Sequence, residues 1–257
     1  MTIINSLAHH LGLPVGDRSG REENQVRTSD AEQIRSMHLF ADMTDAHFGA
    51  LVQAAFLQQF PAQVALIAEN ERPDFLHVVV EGAVELFSRH GPRQTTVDIC
   101  RPVTTFILAA VIGDLPYLAS GRTLEPSRIL MLPAESVRQA FDEDGAFARA
   151  IVRELSRSFR GVMKELKSQK LRTSSERLAN WILANAARRG NDVILTLPNG
   201  KRTLAARLGM TPENLSRALA QLALHGIVSR RREIMISDIA KLQAFAKPTP
   251  SMDDADY

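Results

Sequence analysis

Cysteine is nearly absent: Cys100 is alone among 257 residues. A disulfide framework within the chain is therefore excluded, as is any site built on several thiolates, such as an iron-sulfur cluster or a Cys-rich zinc site. Such scarcity points to a reducing compartment. Long apolar runs are missing too. The longest uncharged apolar stretch, Pro102 to Gly113 (PVTTFILAAVIG), falls short of the roughly 20 residues needed to span a bilayer. The opening MTIINSLAHHLGLPVG has neither a basic start nor a small-residue cleavage site. A cytoplasmic protein without a membrane partner is expected.

The length is enough for two small domains, each with a core, and charge divides the chain in two. Residues 1–152 hold 12 basic and 19 acidic side chains, whereas residues 153–233 hold 17 and 6, a local excess of +11. A basic segment of this length is the electrostatic footprint of a polyanion binder, although a solvated helix face gives the same count.

Periodicity divides the chain further. Residues 1–30 are polar, without sustained periodicity, and read as a flexible arm. From 31 to 60, apolar positions suit short helices with a Thr44/Asp45 cap between them. Residues 60–133 carry short apolar or β-branched runs (VALIA, FLHVVVEGAVELF, TTVDIC, SRILMLP) separated by turn material, which predicts a sandwich or roll of antiparallel strands within a domain spanning 31–143. Gly82 marks a bend or bulge.

A helical period follows. Ile151, Leu155, Phe159, Val162 and Leu166 recur at spacings of 4, 4, 3 and 4 among charged residues. A helix from 144 to 168 or 170 reaches about 37 Å or more. Its narrow apolar seam suits packing against a twin, which makes this a dimerisation helix; the alternative is that the seam covers its own β-domain. Residues 171–240 form the next domain and 241–257 a tail. The domain opens with a helix capped by Thr173 or Ser174 and running through NAARRG, then a strand and turn (VILTLPNGKR).

The stretch KRTLAARLGMTPENLSRALAQL, from Lys201 to Leu222, carries the strongest signal. Leu204, Ala205 and Leu208 face inward on one helix, and Leu215, Ala218, Leu219 and Leu222 on a second. Gly209 ends the first in the left-handed conformation, Thr211 caps the second, and Pro212 sits at its first position. This is a helix-turn-helix. Glu213, Ser216 and Arg217, at i, i+3 and i+4, share an outward face near the start of the second helix, where base edges are reached. Arg suits guanine O6 and N7, Glu accepts from cytosine N4, and Ser bonds a base or a phosphate. The bland alternative is a surface ion pair. GIVSRRREIMIS then reads as a wing with Arg230, Arg231 and Arg232 at its tip; these, with Lys201, Arg202 and Thr211, are candidate phosphate contacts on double-stranded DNA.

This order of parts, carried by LFADMTDAHFGALVQAAFLQQFP, FLHVVVEGAVELF, the long helix and LAARLGMTPENLSRALAQL, resembles the Crp/Fnr family of bacterial transcription regulators over about Met37 to Ser237. The resemblance implies an α+β chain: a cyclic-nucleotide-binding-like β-roll acting as sensor, a dimerisation helix and a C-terminal winged helix-turn-helix. Glu213, Ser216 and Arg217 match the Fnr-type E-x-x-S-R pattern, which implies inverted repeats with TTGA-like half-sites, and RNA polymerase is an implied partner if the protein activates. FILAAVI and LASGRTLEPSRILMLP are similar to the branch known as activators of ferrous iron transport.

Departures limit the effector. Cyclic-nucleotide-binding members carry a G-E-L turn and an Arg-Ser/Thr pair for the cyclic phosphate. Here Ile107, Leu108 and Ala109 replace the turn, and Tyr117 and Leu118 replace the pair, which argues against cyclic AMP; Arg122 is the remaining cation nearby. A haem is conceivable, with His9, His10, His77 and Cys100 as candidate ligands, but arm solvation, strand packing and simple burial explain these residues singly. An enzyme on a cupin-like roll would need histidines and a carboxylate converging on a metal, and only His77 lies in the expected strands. A DNA-packaging protein would favour phosphate contacts and apolar wedges over a polar reading face. The leading expectation is a homodimeric, sequence-specific regulator with no catalytic constellation, and a cyclic-nucleotide-responsive regulator is the alternative.

Overall fold

The structure, a computed structural model, describes residue 26 and residues 28–189, 192–196, 200–230 and 233–254. The described residues form two compact units, which divide between Arg157 and Ser158.

In the first unit, helices α1 (Thr28–Arg35) and α2 (Asp45–Ala54) precede strands β1 (Phe56–Phe60), β2 (Ala65–Ile67), β3 (Phe75–Glu81), β4 (Val84–His90), β5 (Arg93–Cys100) and β6 (Thr104–Phe106). A short helix α3 (Leu108–Gly113), strands β7 (Ser120–Thr123) and β8 (Ser127–Pro133), helix α4 (Ala134–Glu143) and the long helix α5 (Gly145–Leu171) follow. Two four-stranded antiparallel sheets result, ordered β1-β8-β3-β6 and β2-β7-β4-β5. Both sheets contribute to one apolar cluster that includes Phe60, Ile67, Val79, Val84, Ile129 and Met131. The opposite face of the first sheet (Leu76, Val78, Leu130, Leu132) packs with Ile34, Phe40, Val137, Phe147 and Ile151 from the helices. Strand β3 is thus buried on both faces from Phe75 to Val80, which is why FLHVVV is a continuous apolar run rather than an alternating one. Gly82 has φ +87°, and a Cβ there would meet Ser127 Oγ at 2.3 Å. The bend between β3 and β4 therefore requires glycine on both counts.

Of the residues expected as an arm, 1–25 and 27 lie outside the described residues. Residues 28–30 form the first turn of α1, and Asp30 pairs with Arg128 at 2.8 Å.

Asp144, expected as the first helical residue, is instead the N-cap of α5. Its Oδ1 accepts from the N–H groups of Ala146 and Phe147 (2.9 and 3.0 Å). Its Oδ2 accepts from the Thr44 N–H and hydroxyl (2.9 and 3.0 Å) and lies 3.2 Å from His47 Nδ1. Thr44 is the N-cap residue of α2, as the sequence suggested, yet it makes no side-chain cap bond; its hydroxyl serves Asp144. Backbone N–H donors from Phe147 and Thr44, outweighing the cost of burial, hold the Asp144 carboxyl far below the usual carboxylate range. Asp144→Ala is expected to cost about 2–3 kcal/mol at neutral pH, a lost cap plus stranded donors. Because the folded pKa is depressed, this contribution is complete above an unfolded pKa of about 3.9 and is lost as pH falls toward the folded value. Denaturant midpoints of wild type and variant should therefore converge in acid; a gap that persists or widens there rejects the carboxylate as its source.

The second unit holds the C-terminal part of α5, then α6 (Ser174–Asn185), β9 (Ala187–Arg189), β10 (Asp192–Thr196), α7 (Gly200–Arg207), α8 (Pro212–Ala223), β11 (Ile227–Arg230), β12 (Glu233–Ile236), α9 (Ile239–Ala246) and α10 (Pro250–Asp253). Its four-stranded sheet has the order β11-β12-β10-β9. The helix expected to run through NAARRG stops at Asn185, and Ala187–Arg189 becomes a strand because it pairs with β10. Thr173 caps α6 in a reciprocal box with Glu176. The residues expected as a tail carry the rest of α9, which begins at Ile239, and then α10.

Candidate nucleic-acid interface and sensor roll

Local sequence builds the helix-turn-helix as the pattern predicts. Gly209 has φ +61° and ends the first helix of the motif. Thr211 caps α8 by accepting from the Asn214 N–H at 3.2 Å, and Pro212 opens it. Leu204, Ala205, Leu208, Leu215, Ala218, Leu219 and Leu222 are buried in one cluster with Leu178, Ile182, Ile227 and Ile234. The helix pair is thereby fixed to α6 and the wing sheet.

Glu213, Ser216 and Arg217 are all exposed on α8. The carboxyl of Glu213 is held below its ordinary value, first by its own backbone N–H, then by the Thr211 hydroxyl and Arg217. It is therefore an ionised acceptor at neutral pH. Ser216 donates its hydroxyl to the Pro212 carbonyl at 3.0 Å, which leaves its oxygen able to accept. Lys201, Arg202 and Arg230 are exposed; Arg231 and Arg232 lie outside the described residues. Thr211 is exposed too, but its hydroxyl is engaged by Asn214 and Glu213, so it shapes the helix start.

Not all of the basic excess is displayed for a polyanion. Arg157 pairs with Glu154, Arg172 with Asp253, and Lys167 donates to Ser251. Arg177 donates to the carbonyls of Leu208 and Arg172. Charge counting could not separate these from the exposed cations, since each partner is set by the fold.

The expected seam on α5 needs one correction. Ile151 is fully buried in the first unit's core and is unavailable to a twin, whereas its neighbour Val152 is 55% exposed. Leu155 is half-buried against the same core; Phe159 (67%), Val162 (66%) and Leu166 (44%) are exposed. The stripe therefore runs Val152, Leu155, Phe159, Val162, Leu166, with spacings of 3, 4, 3 and 4, which is a regular heptad seam.

In the roll, His77 is buried, stacked on Phe106 with ring centroids 5.2 Å apart, and its Nδ1 has no hydrogen-bond partner. Burial lowers its pKa to about 4, opposed by the Phe75 backbone, so the ring is neutral at pH 7. Cys100 is buried in the cluster shared by the two sheets. His9 and His10 lie outside the described residues. Among the described residues no group of three or more His, Cys, Asp or Glu side chains could hold a metal ion.

Arg122 does not point into the roll. Gly121 beside it faces Ile67 and Leu86 of the interior, so strand alternation turns Arg122 to the other face. There it pairs with Glu85 (NH2–Oε2 2.7 Å) and lies over the Phe87 ring at 4.6 Å, while Thr96 donates to the same carboxylate at 2.6 Å. Tyr117 is buried in the cluster, its phenol pKa raised by burial and by the charges of Asp74 and Glu71. Leu118 is 90% exposed. Ile107 keeps a left-handed backbone, φ +63°, a conformation that costs a β-branched residue strain that glycine escapes.

Two family models match the chain: a cyclic nucleotide-binding domain over residues 57–144 and a Crp-like helix-turn-helix domain over residues 176–245. A CRP-like cAMP-activated global transcriptional regulator of Mycobacterium tuberculosis is 22% identical over 216 residues, covering 81% of this chain and 96% of that protein. Among solved structures, FixK2 of Bradyrhizobium japonicum is similar at TM-score 0.65 and 21% identity, covering 76% of this chain and 98% of its own. A CooA variant from Carboxydothermus hydrogenoformans gives 0.66 at 18% identity, covering 77% and 90%. At these identities the structural likeness establishes the fold. No helix among the described residues is long and apolar enough to cross a membrane.

Proposed function

The chain belongs to the Crp/Fnr family of transcription regulators, and from that premise we propose that it acts as a homodimer binding an inverted repeat with TTGA-like half-sites. The single observation carrying this reading is the exposed trio Glu213, Ser216 and Arg217 on a capped, buried-backed recognition helix. Two such helices must lie about 34 Å apart to enter successive major grooves, and the heptad stripe on α5 offers the two-fold axis that would set this distance. The first unit is the sensor, and RNA polymerase is a partner if the protein activates.

The effector is not recognised through a cyclic phosphate. Tyr117 is buried and Leu118 is apolar where the phosphate-holding pair would stand, and Arg122 is committed to Glu85. Titration of the purified protein onto a TTGA-type palindrome and a scrambled duplex, at one stated salt concentration, tests both statements. Preference for the palindrome by 10³-fold or more, unchanged by added cyclic AMP, is the expected result. Equal binding of both duplexes rejects the specific reading, and a cyclic AMP-dependent gain rejects the effector reading. A haem on His77 is a second reading, favoured by the unpaired Nδ1. It requires a stoichiometric Soret band after haem addition, lost in His77→Ala; no band excludes it.

A further inference from the structure

The apolar stripe on α5 has edges as well as a centre. With Val152, Phe159 and Leu166 at the first position of successive heptads, Leu155 and Val162 take the fourth, and Gln169 continues the series. The charges that α5 uses within its own chain lie elsewhere on the helix. Glu154 and Arg157 pair with each other, Lys164 donates to the Asp254 carbonyl and Lys167 to Ser251. These four fall at the third, sixth, sixth and second heptad positions, away from the stripe.

Two charged residues flank the stripe instead. Glu165 holds the seventh position of its heptad, and Lys170 the fifth position of the next. At 100° per residue they stand about 140° apart, one on each side of the stripe, so they do not meet within one helix. The other flanking positions from Val152 to Leu171 are Ser156, Ser158 and Met163, all uncharged. The Gln169 amide donates to Glu165 Oε1 at 3.1 Å. It holds the carboxylate at the edge of the stripe, and a carboxylate has a second oxygen for a further donor.

These charges are self-complementary in one geometry. When two parallel helices pack in register, the seventh position of one faces the fifth position of the next heptad on the other. Glu165 then meets Lys170 of the partner subunit, and the two-fold axis repeats the contact with the roles exchanged. A shift by one heptad sets Glu165 beside Met163 and Lys170 beside Ser158. An antiparallel pairing sets seventh positions beside seventh positions and separates Glu165 from Lys170.

We propose that Glu165 and Lys170 are the residues by which this chain selects a second copy of itself, parallel and in register, as the partner for its stripe. Apolar side chains make the stripe adhesive without choosing a partner, since any heptad seam of similar shape fits them. The charged edge adds that choice, because each copy carries the complement of the other and repels a copy aligned otherwise. This rests on the homodimer reading and names what specifies the dimer.

Full-length chains carrying Glu165→Lys or Lys170→Glu, one of them with a mass tag, test the pair by sedimentation and, after mixing, by native mass spectrometry. Each variant alone sets like charges together at two contacts and is expected to dimerise about 5- to 30-fold more weakly than wild type. Mixed, the two variants restore both contacts, so mixed dimers are expected to exceed about 80% of all dimers, against the half that chance gives. The double variant, with both charges exchanged, is expected to regain wild-type association. Lysine and glutamate are both good helix formers, and recovery in the double variant shows that the weakening came from charge and not from unfolding. A mixture that stays statistical, single variants as tight as wild type, or a double variant as weak as the single ones overturns the pair. Differently tagged wild-type chains, mixed in the same way, tell the two failures apart. A monomeric wild type overturns the homodimer and the pair together, whereas a dimeric wild type with a statistical variant mixture overturns the pair alone.

Discussion

Phe159→Glu is expected to turn the protein into a monomer and to weaken binding to an inverted repeat by about 10²- to 10⁴-fold, the advantage that a second linked site confers. Phe159 sits at the centre of the stripe Val152, Leu155, Phe159, Val162, Leu166 and is 67% exposed in the single chain. In a parallel pair of helices about a two-fold axis, residue 159 of one copy approaches residue 159 of the other. The substitution therefore removes a large apolar side chain, whose full burial stabilises by roughly 1.5–3 kcal/mol, and places two carboxylates in apposition. Glutamate is a good helix former, so the helix itself should survive. Sedimentation and the DNA titration together give the readout. Ile151→Glu is the contrasting variant: Ile151 is fully buried in the first unit, so it should unfold that unit instead. A Phe159→Glu protein that remains dimeric and binds at full strength would rule out the stripe as the interface.

Arg217→Ala is expected to lose about 1–3 kcal/mol on the palindrome, a factor of roughly 5 to 150, and to relax discrimination at one base pair. Arg217 lies one turn after Glu213 on the exposed face of α8, in the N-terminal half of that helix. On the proposed reading its loss removes a base contact and leaves most phosphate contacts in place, so binding to scrambled DNA should change little. Arg230→Ala should behave oppositely, weakening both duplexes alike and reducing the salt slope by about one unit, because a wing cation reads phosphate charge. Equal losses on both duplexes for Arg217→Ala would remove it from base readout.

The helix-turn-helix was legible because everything that specifies it is local. The 3- and 4-residue spacing, Gly209, Thr211 and Pro212 fall within one short stretch, and each acts through the backbone a few residues away. The roll was legible as a class for a similar reason, since its strands are short apolar runs divided by turn residues. Boundaries decided by distant partners were not legible. Ala187–Arg189 is a strand only because Asp192–Thr196 is there to pair with it. Asp144 caps α5 through its neighbours Ala146 and Phe147, but its second carboxylate oxygen is taken by Thr44 and His47, about a hundred positions earlier, which no local pattern announces.

The candidate sites divide along the same line. Sequence alone determined the two-part chain, the helix-turn-helix with its exposed Glu213, Ser216 and Arg217, and the family, because helical periodicity, capping and turn chemistry are properties of neighbouring residues. It also determined that a long helix carries an apolar seam, but periodicity cannot tell Ile151 from Val152 when both are apolar and adjacent. The neighbouring core decided that, burying one and leaving the other 55% exposed. Tertiary structure alone turned Arg122 away from the roll and onto Glu85, left His77 Nδ1 unpaired, and bound Arg172 to Asp253 across 81 positions of chain. Long-range charge pairing and strand facing depend on which segments meet in space, and no local pattern records those meetings.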